Sequence, residues 1–150
     1  MTMPVLLSCC VGQQREGRWL AGRASRLLRL LGREKEQLSL LLVGDRRMTA
    51  LNSQWRGRQR VTDVLAFSQL EGKPTPGGSK LLGDVVICLS QARRQAREVG
   101  HGLRRELLTL LVHGVLHLIG YEHEKVSPQK ARLMWREQQR LVEQLDERCA

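Results

Sequence analysis

The sequence predicts an α+β fold in which a mixed sheet of about four strands is covered by helices. Short apolar runs of strand length alternate with longer segments whose apolar residues follow the helical period. The 150 residues contain no internal repeat, and this length suits one domain with its own core, residues 1–150. Such a pattern is typical of one sheet packed against helices.

Four segments are predicted to form the strands of this sheet. Each is an apolar run bounded by polar or turn-forming residues, and they lie at 3–8, 38–44, 64–70 and 81–89. The first is expected at an edge of the sheet. The stretch EGKPTPGGSK between the last two is rich in Gly and Pro, which predicts a loop.

Five segments have helical spacing, and they lie at 16–31, 45–55, 90–99, 103–119 and from Ser127 to about 145. The fourth segment is apolar on nearly every side, which predicts a helix inside the protein. The histidines on this buried helix and after the turn that follows it predict a metal site there. The last segment begins with a capping Ser and a first-turn Pro. Its apolar face is predicted to consist of Ala131, Met134, Trp135, Leu141, Val142 and Leu145.

The charge balance limits the classes of partner. Lys and Arg outnumber Asp and Glu by 25 to 15, and a net charge of +10 indicates a polyanionic partner, either nucleic acid or an acidic membrane surface. Because aromatic residues make up only 3%, nucleic-acid binding is expected to depend mainly on phosphate contacts. No apolar run approaches the roughly 20 residues of a membrane span. The protein is expected to be cytoplasmic, with RNA and not a membrane as its partner.

The cysteines and the N-terminus support the same compartment. Four cysteines are present without a C-x-x-C pair, so neither a disulfide framework nor a cysteine zinc finger is expected. The apolar N-terminal run is short and has no basic residue before Arg15, unlike a secretory signal peptide.

Three of the four histidines lie in the stretch HGVLHLIGYEH, residues 113–123. His113 and His117 are four residues apart, so they share one face of a helix. Gly120 can end that helix in a left-handed conformation, which lets His123 approach the same point from outside. As ordinary core residues, three such imidazoles would each need a buried partner. The spacing therefore predicts one metal ion bound by His113, His117 and His123.

Three ligands leave one coordination position for water, which is typical of catalytic rather than structural zinc sites. Zinc can lower the pKa of that water to about 7. The H-x3-H-x5-H spacing is that of metzincin proteases, where Glu follows the first His as general base. Here that position is Gly114, which disfavours peptide hydrolysis. Phosphodiester cleavage depends more on charge neutralisation, and a metal with arginines can supply that.

The stretch WRGRQR places Arg56, Arg58 and Arg60 at the end of a helix, just before a strand. A guanidinium can bind a phosphate with two hydrogen bonds, so Arg58 and Arg60 are candidate RNA contacts. Taken alone, the stretch is better explained as a solvated basic turn.

Four neighbouring residues are weaker candidates. Asp63 and Asp84 are candidates for hydrogen bonds to ligand imidazoles, although a cap or a structural hydrogen bond is the better explanation of each. Trp55 and Tyr121 are candidates for stacking on an unpaired base, and Trp55 is better explained as a core residue.

Three stretches together resemble a known family. LNSQWRGRQRVTDVLAF (51–67), LGDVVIC (82–88) and HGVLHLIGYEH (113–123) are similar to the signature blocks of the YbeY family, bacterial metal-dependent endoribonucleases of rRNA maturation. The order and spacing also match, over roughly residues 38–145. Glu122 and Ser68 stand where the family usually has Asp and Pro, and neither is a ligand position.

The resemblance implies one Zn²⁺ ion on the three histidines and a catalytic role for Arg56. It also implies cleavage of single-stranded RNA in 16S rRNA 3′-end maturation and in ribosome quality control. The expected partners are rRNA, the small ribosomal subunit with its proteins, and an Era-type GTPase.

Three functions stay open at this point. The first is a zinc endoribonuclease, and the second is a non-catalytic RNA-binding assembly factor of the ribosome with a structural metal. The third is a peptidase. Gly114 disfavours the third, and the open coordination position favours the first over the second.

Overall fold

The computed structural model describes residues 5–9, 12–56, 63–68, 80–121 and 126–146, apart from the side chains of Trp55 and Arg56. Within these ranges the chain forms strands and helices in the predicted order: β1 (Val5–Cys9), α1 (Gln14–Leu30), β2 (Gln37–Val43), α2 (Asp45–Arg56), β3 (Val64–Ser68), β4 (Leu81–Cys88), α3 (Leu89–Val99), α4 (Leu103–Leu118) and α5 (Pro128–Leu145). The predicted α+β class is confirmed.

The strands form one mixed sheet in the order β1-β2-β4-β3. β1 pairs with β2 and β2 pairs with β4 in parallel, whereas β3 and β4 are antiparallel. Parallel neighbours need a long crossover connection, and α1 provides the one between β1 and β2. β1 lies at the edge of the sheet, as predicted.

Both sides of the sheet are covered by apolar contacts, as the alternation of β4 shows. Val85 and Ile87 of β4 belong to a large core that also contains residues of α1, α4 and α5. Val86 and Cys88 point to the other side and pack in a smaller cluster with Met48 of α2. The large core is the side on which the predicted ligand helix lies.

Helix α4 is the most deeply buried helix among the described residues. It contacts β3 and β4 of the sheet and the helices α1, α3 and α5. Its sequence is apolar nearly all round, and this composition suits a helix with neighbours on every side. Although α4 is apolar, no helix in the described part of the chain is long and apolar enough to cross a membrane.

The predicted apolar face of α5 is correct except at Trp135. Met134, Leu141, Val142 and Leu145 are buried, but 61% of Trp135 is exposed. Successive residues of a helix are rotated by about 100°, so Trp135 lies beyond the edge of the buried stripe that contains Met134. The inward placement predicted for Trp135 is therefore wrong.

Candidate metal centre

Helix α4 brings His113 and His117 together at the edge of the core. From Leu110 to Leu118 every residue is buried except these two histidines, which are half-buried. Their ring centroids lie 4.7 Å apart, and the ring planes are inclined by 77°. The predicted sharing of one helix face is therefore confirmed for this pair.

Helix α5 holds one of these imidazoles. Nδ1 of His113 lies 2.8 Å from Oε1 of Gln138, so the ring donates its Nδ1–H to the amide oxygen. Nε2 is then the ring nitrogen with a lone pair for a metal. Imidazoles that bind metals usually donate their other N–H to such an acceptor, which fixes both tautomer and ring orientation.

The end of α4 follows the predicted turn. Gly120 has φ +106°, in the left-handed region. The Gly120 amide donates to the carbonyl of His117 at 3.1 Å, and the Tyr121 amide donates to that of Leu116 at 3.0 Å. This pair of bonds is a Schellman motif, which ends a helix and turns the chain away from its axis.

The third predicted ligand, His123, lies outside the described residues. Within the described ranges, no group of three or more His, Cys, Asp or Glu side chains is placed to hold a metal ion. Two imidazoles with their rings in contact, one of them oriented by Gln138, fit the nitrogen ligands that zinc prefers. The three-histidine site stays a prediction.

Gly114 shows why the ligand helix carries no carboxylate at the metzincin position. A Cβ atom on Gly114 would lie 2.9 Å from Cγ1 of Val85 and 3.5 Å from Cγ2 of Val64. Position 114 therefore faces the sheet in close contact, and a Glu side chain there would displace the strand residues. The described part of α4 leaves no space at position 114 for the general base of a metzincin.

The basic stretch is described only in part. Arg56 is the last residue of α2, as predicted, and the positions of Arg58 and Arg60 lie outside the described residues.

The start of α2 is held by Asp45, whose carboxylate oxygens accept hydrogen bonds from Arg94 at 2.8 and 3.1 Å. These bonds lower the pKa of Asp45. The Cys88 thiol donates to the same carboxylate at 3.3 Å, and burial raises the pKa of this thiol.

The two candidate aspartates do not contact the histidine pair. The Asp63 carboxylate accepts a hydrogen bond from Nε2 of Gln95 at 3.2 Å, and its carbonyl accepts from the Cys88 amide at 2.9 Å. Asp84 lies in β4, where it is paired in register with Ser39 of β2. The structural role favoured for Asp63 is therefore the observed one.

Gln138 is the site residue that sequence reasoning missed. It lies among the buried residues Met134, Leu141 and Leu145 of α5, and a polar side chain in such a stripe needs a partner. That signal was available, but the sequence alone did not identify the partner as His113, because the two residues belong to different helices.

The chain is similar to proteins of one named family. The family model for Endoribonuclease YbeY matches residues 18–146. A protein named Endoribonuclease YbeY from Pelotomaculum thermopropionicum is 41% identical over 151 residues, which cover 96% of this chain and 98% of the relative. One of the same name from Anaeromyxobacter sp. (strain Fw109-5) is 48% identical over 125 residues, 83% of this chain.

The matched part of the chain spans 62% of the Fw109-5 protein and 60% of its relative from Anaeromyxobacter dehalogenans. The solution structure of TM1509 from Thermotoga maritima superposes with a TM-score of 0.64 at 25% identity, over 94% of this chain and 88% of the other. Since the family model covers most of the residues and one relative matches along nearly its whole length, the chain belongs to the YbeY family.

Proposed function

We propose that this protein is a metal-dependent endoribonuclease that hydrolyses phosphodiester bonds of single-stranded RNA. The observation that carries the proposal is the pair of half-buried imidazoles on α4, one of them oriented by Gln138. The family's description, Endoribonuclease YbeY, supports the reaction class. The net charge of +10 supports a polyanionic substrate.

One Zn²⁺ ion is the proposed cofactor, and His113, His117 and His123 are its proposed ligands. When bound, the ion supplies Lewis-acid stabilisation of the phosphate charge and activates a water molecule. The contribution of α4 is to hold two of the imidazoles on one face, and Gln138 keeps the His113 proton on Nδ1.

Arg56 is proposed to neutralise the charge that develops on the non-bridging phosphate oxygens. A guanidinium suits this role because it offers two parallel N–H donors to a phosphate. Arg58 and Arg60 are proposed to bind flanking phosphates. Because Gly114 is packed against Val85, α4 supplies no carboxylate base from that position, and a peptidase is disfavoured.

The biological substrate proposed is the 3′ precursor of 16S rRNA, with a further role in ribosome quality control. The small ribosomal subunit, its proteins and an Era-type GTPase are the proposed partners, in the cytoplasm. We also propose that residues 1–150 act as one catalytic domain.

The test is cleavage of a labelled 16S rRNA 3′ precursor by the purified protein, with and without metal. His117→Ala is expected to lower zinc content and cleavage together. His101→Ala is the matched control, because Nε2 of His101 pairs with Glu106 at 2.7 Å, away from the cluster. Unchanged zinc stoichiometry and coordination in His117→Ala would contradict the ligand assignment. Loss of stability on zinc removal, without cleavage by the loaded protein, would favour the assembly factor.

A further inference from the structure

A groove lies between the starts of α1 and α4, at the end of α4 away from His117. Its volume is about 400 Å³, within the range of sites for small ligands. Trp19, Leu103 and Leu107 form an apolar floor, and the guanidinium-bearing residues Arg15 and Arg104 lie beside it. None of these residues belongs to the predicted metal centre.

The Trp19 ring orders the basic side of this groove. Cζ of Arg104 lies 4.8 Å from the ring centroid, and Cζ of Arg23 lies 5.3 Å from it. Both distances are within the reach of cation–π attraction. The ring therefore keeps two guanidinium groups at defined positions beside an apolar surface, which reduces the entropy lost when an anion binds.

The two arginines that line the groove are not paired with a carboxylate in the described part of the chain. Among the residues that the structure describes, Arg15 and Arg104 form no ion pair with a carboxylate, whereas Arg33, Arg93, Arg94, Arg105 and Arg140 do. Glu16, the acidic residue of the groove, lies 3.7 Å from Arg93. Gly102 precedes α4 without a capping side chain, so the positive end of the helix dipole adds to this potential.

We propose that this groove is a second RNA-binding site, which takes an unpaired base on its floor and the flanking phosphates on Arg15 and Arg104. An apolar floor with a positive rim is complementary to a single strand, whose bases are exposed, rather than to a duplex. The choice of RNA as ligand rests on the proposed function, but the groove itself shares no residue with the metal centre.

The position of the groove predicts a dependence on RNA length. From Leu103 to His117 the axis of α4 rises about 21 Å at about 1.5 Å per residue. A stacked strand covers this distance with about six nucleotides at about 3.4 Å each. Because α4 is buried, this axial distance is a minimum for the path of the strand over the surface. An RNA of about four nucleotides therefore occupies only one of the two sites, whereas one of about twelve nucleotides is long enough to contact both.

The experiment measures the affinity of fluorescent single-stranded RNAs of about four and about twelve nucleotides at several salt concentrations. The metal is kept bound, and the RNA is checked for intact length after each measurement, so that binding is separated from cleavage. Arg104→Ala is expected to weaken binding of the long RNA several-fold and to lower its salt slope by about 0.7. The short RNA is expected to lose less affinity, because only the long RNA can occupy both sites. Trp19→Leu keeps the floor apolar and is expected to weaken the long RNA in the same way.

The matched control is Arg29→Ala, which removes one positive charge from an exposed position of the same helix α1, outside the groove. Its salt slope is expected to equal that of the wild type. An equal loss from Arg29→Ala, or an equal loss for both RNA lengths, would overturn the proposal. The proposal would also be overturned if Arg104→Ala bound RNA as tightly as wild type but bound a poly-glutamate probe more weakly. The groove would then be a site for an acidic protein. These binding measurements do not require cleavage, so they test the groove even if the protein proves not to cleave RNA.

Discussion

Oε1 of Gln138 accepts a hydrogen bond from Nδ1 of His113 at 2.8 Å, and this bond connects α5 to the helix that carries the predicted ligands. The two helices pack along their length, with Met134, Leu141 and Leu145 of α5 in the same core as α4. A shift of α5 would therefore change the orientation of one imidazole. The proposed metal centre therefore depends on helix packing as well as on the spacing of its histidines.

Replacing Gln138 tests this dependence. Gln138→Leu removes the acceptor while keeping side-chain volume, and zinc affinity is expected to fall about 10- to 100-fold. Gln138→Glu keeps an acceptor and should retain most of the affinity. Competition with a chromophoric chelator at fixed pH gives the Kd values. The control is Gln139→Leu on the same helix, and equal affinities for Gln138→Leu and wild type would contradict the positioning role.

Arg56→Ala is expected to reduce turnover far more than RNA affinity. Removing one donor that stabilises transition-state charge typically costs about 10²–10³ in rate. Arg56→Lys should not restore full activity, because an ammonium lacks the two-pronged geometry. Arg58→Ala should mainly weaken binding. Single-turnover cleavage at saturating enzyme separates the effects, and a wild-type rate for Arg56→Ala under those conditions would make Arg56 a binding residue only.

Gly114→Ala is expected to destabilise the protein, although Ala favours a helix by about 1 kcal/mol over Gly. The added Cβ would lie 2.9 Å from Val85 Cγ1, and overpacking a buried contact costs about 1–3 kcal/mol. Urea unfolding measures the difference. In the Val85→Ala background the clash is relieved. Adding Gly114→Ala there should therefore raise the free energy of unfolding, because only the helix preference for Ala remains. If Gly114→Ala alone were more stable than wild type, α4 and β4 could move apart at little cost, and the expected overpacking would be contradicted.

Two neighbouring residues of α5 are expected to differ sharply in their effect on stability. Met134 is 2% exposed, and Met134→Ala should cost about 2–5 kcal/mol. Trp135 is 61% exposed, and Trp135→Ala should change the free energy of unfolding by no more than about 0.5 kcal/mol. Chemical denaturation of both variants gives the two free energies of unfolding. A loss of several kcal/mol for Trp135→Ala would contradict the exposed position of this side chain.

The ion pair between Asp45 and Arg94 predicts a pH dependence. The hydrogen bond from Arg94 lowers the pKa of Asp45, so its contribution to stability is complete above the unfolded pKa of about 3.9. The contribution is lost as pH falls through the lower folded pKa. Because the pair is largely exposed and screened by solvent, the effect on stability is expected to be small. The stability difference between wild type and Asp45→Asn should shrink in acid, and a constant difference from pH 5 to pH 2.5 would contradict the pairing.

The sequence predicted what depends on neighbours along the chain. The strand and helix order follows from local apolar period, and the His113–His117 pair follows from the helical repeat. Strand ends are less sharply encoded: the second strand was expected at 38–44, whereas β2 spans Gln37–Val43. The error at Trp135 has a similar origin, since the width of the buried stripe on α5 is decided by the helix against which it packs.

Contacts between elements distant in sequence could not be predicted from residue spacing. Neither the bond from His113 to Gln138 nor the groove beside Trp19 follows from residue spacing, because each joins two helices whose relative position is set by tertiary packing. Whether His123 lies close to His113 and His117 also depends on tertiary packing, and the proximity stays a prediction.

The strand order β1-β2-β4-β3 affects how the chain is assembled during synthesis. β3 is synthesised before β4, yet β4 is its neighbour in the sheet, and the same strand is the partner of β2. A nascent chain that has emerged only as far as β3 therefore holds two unsatisfied strand edges, with their backbone amides and carbonyls open to other chains. At about 5–20 residues per second this interval lasts on the order of seconds. We expect the nascent protein to be most vulnerable to aggregation and to proteases in that interval, until β4 enters between its two neighbours.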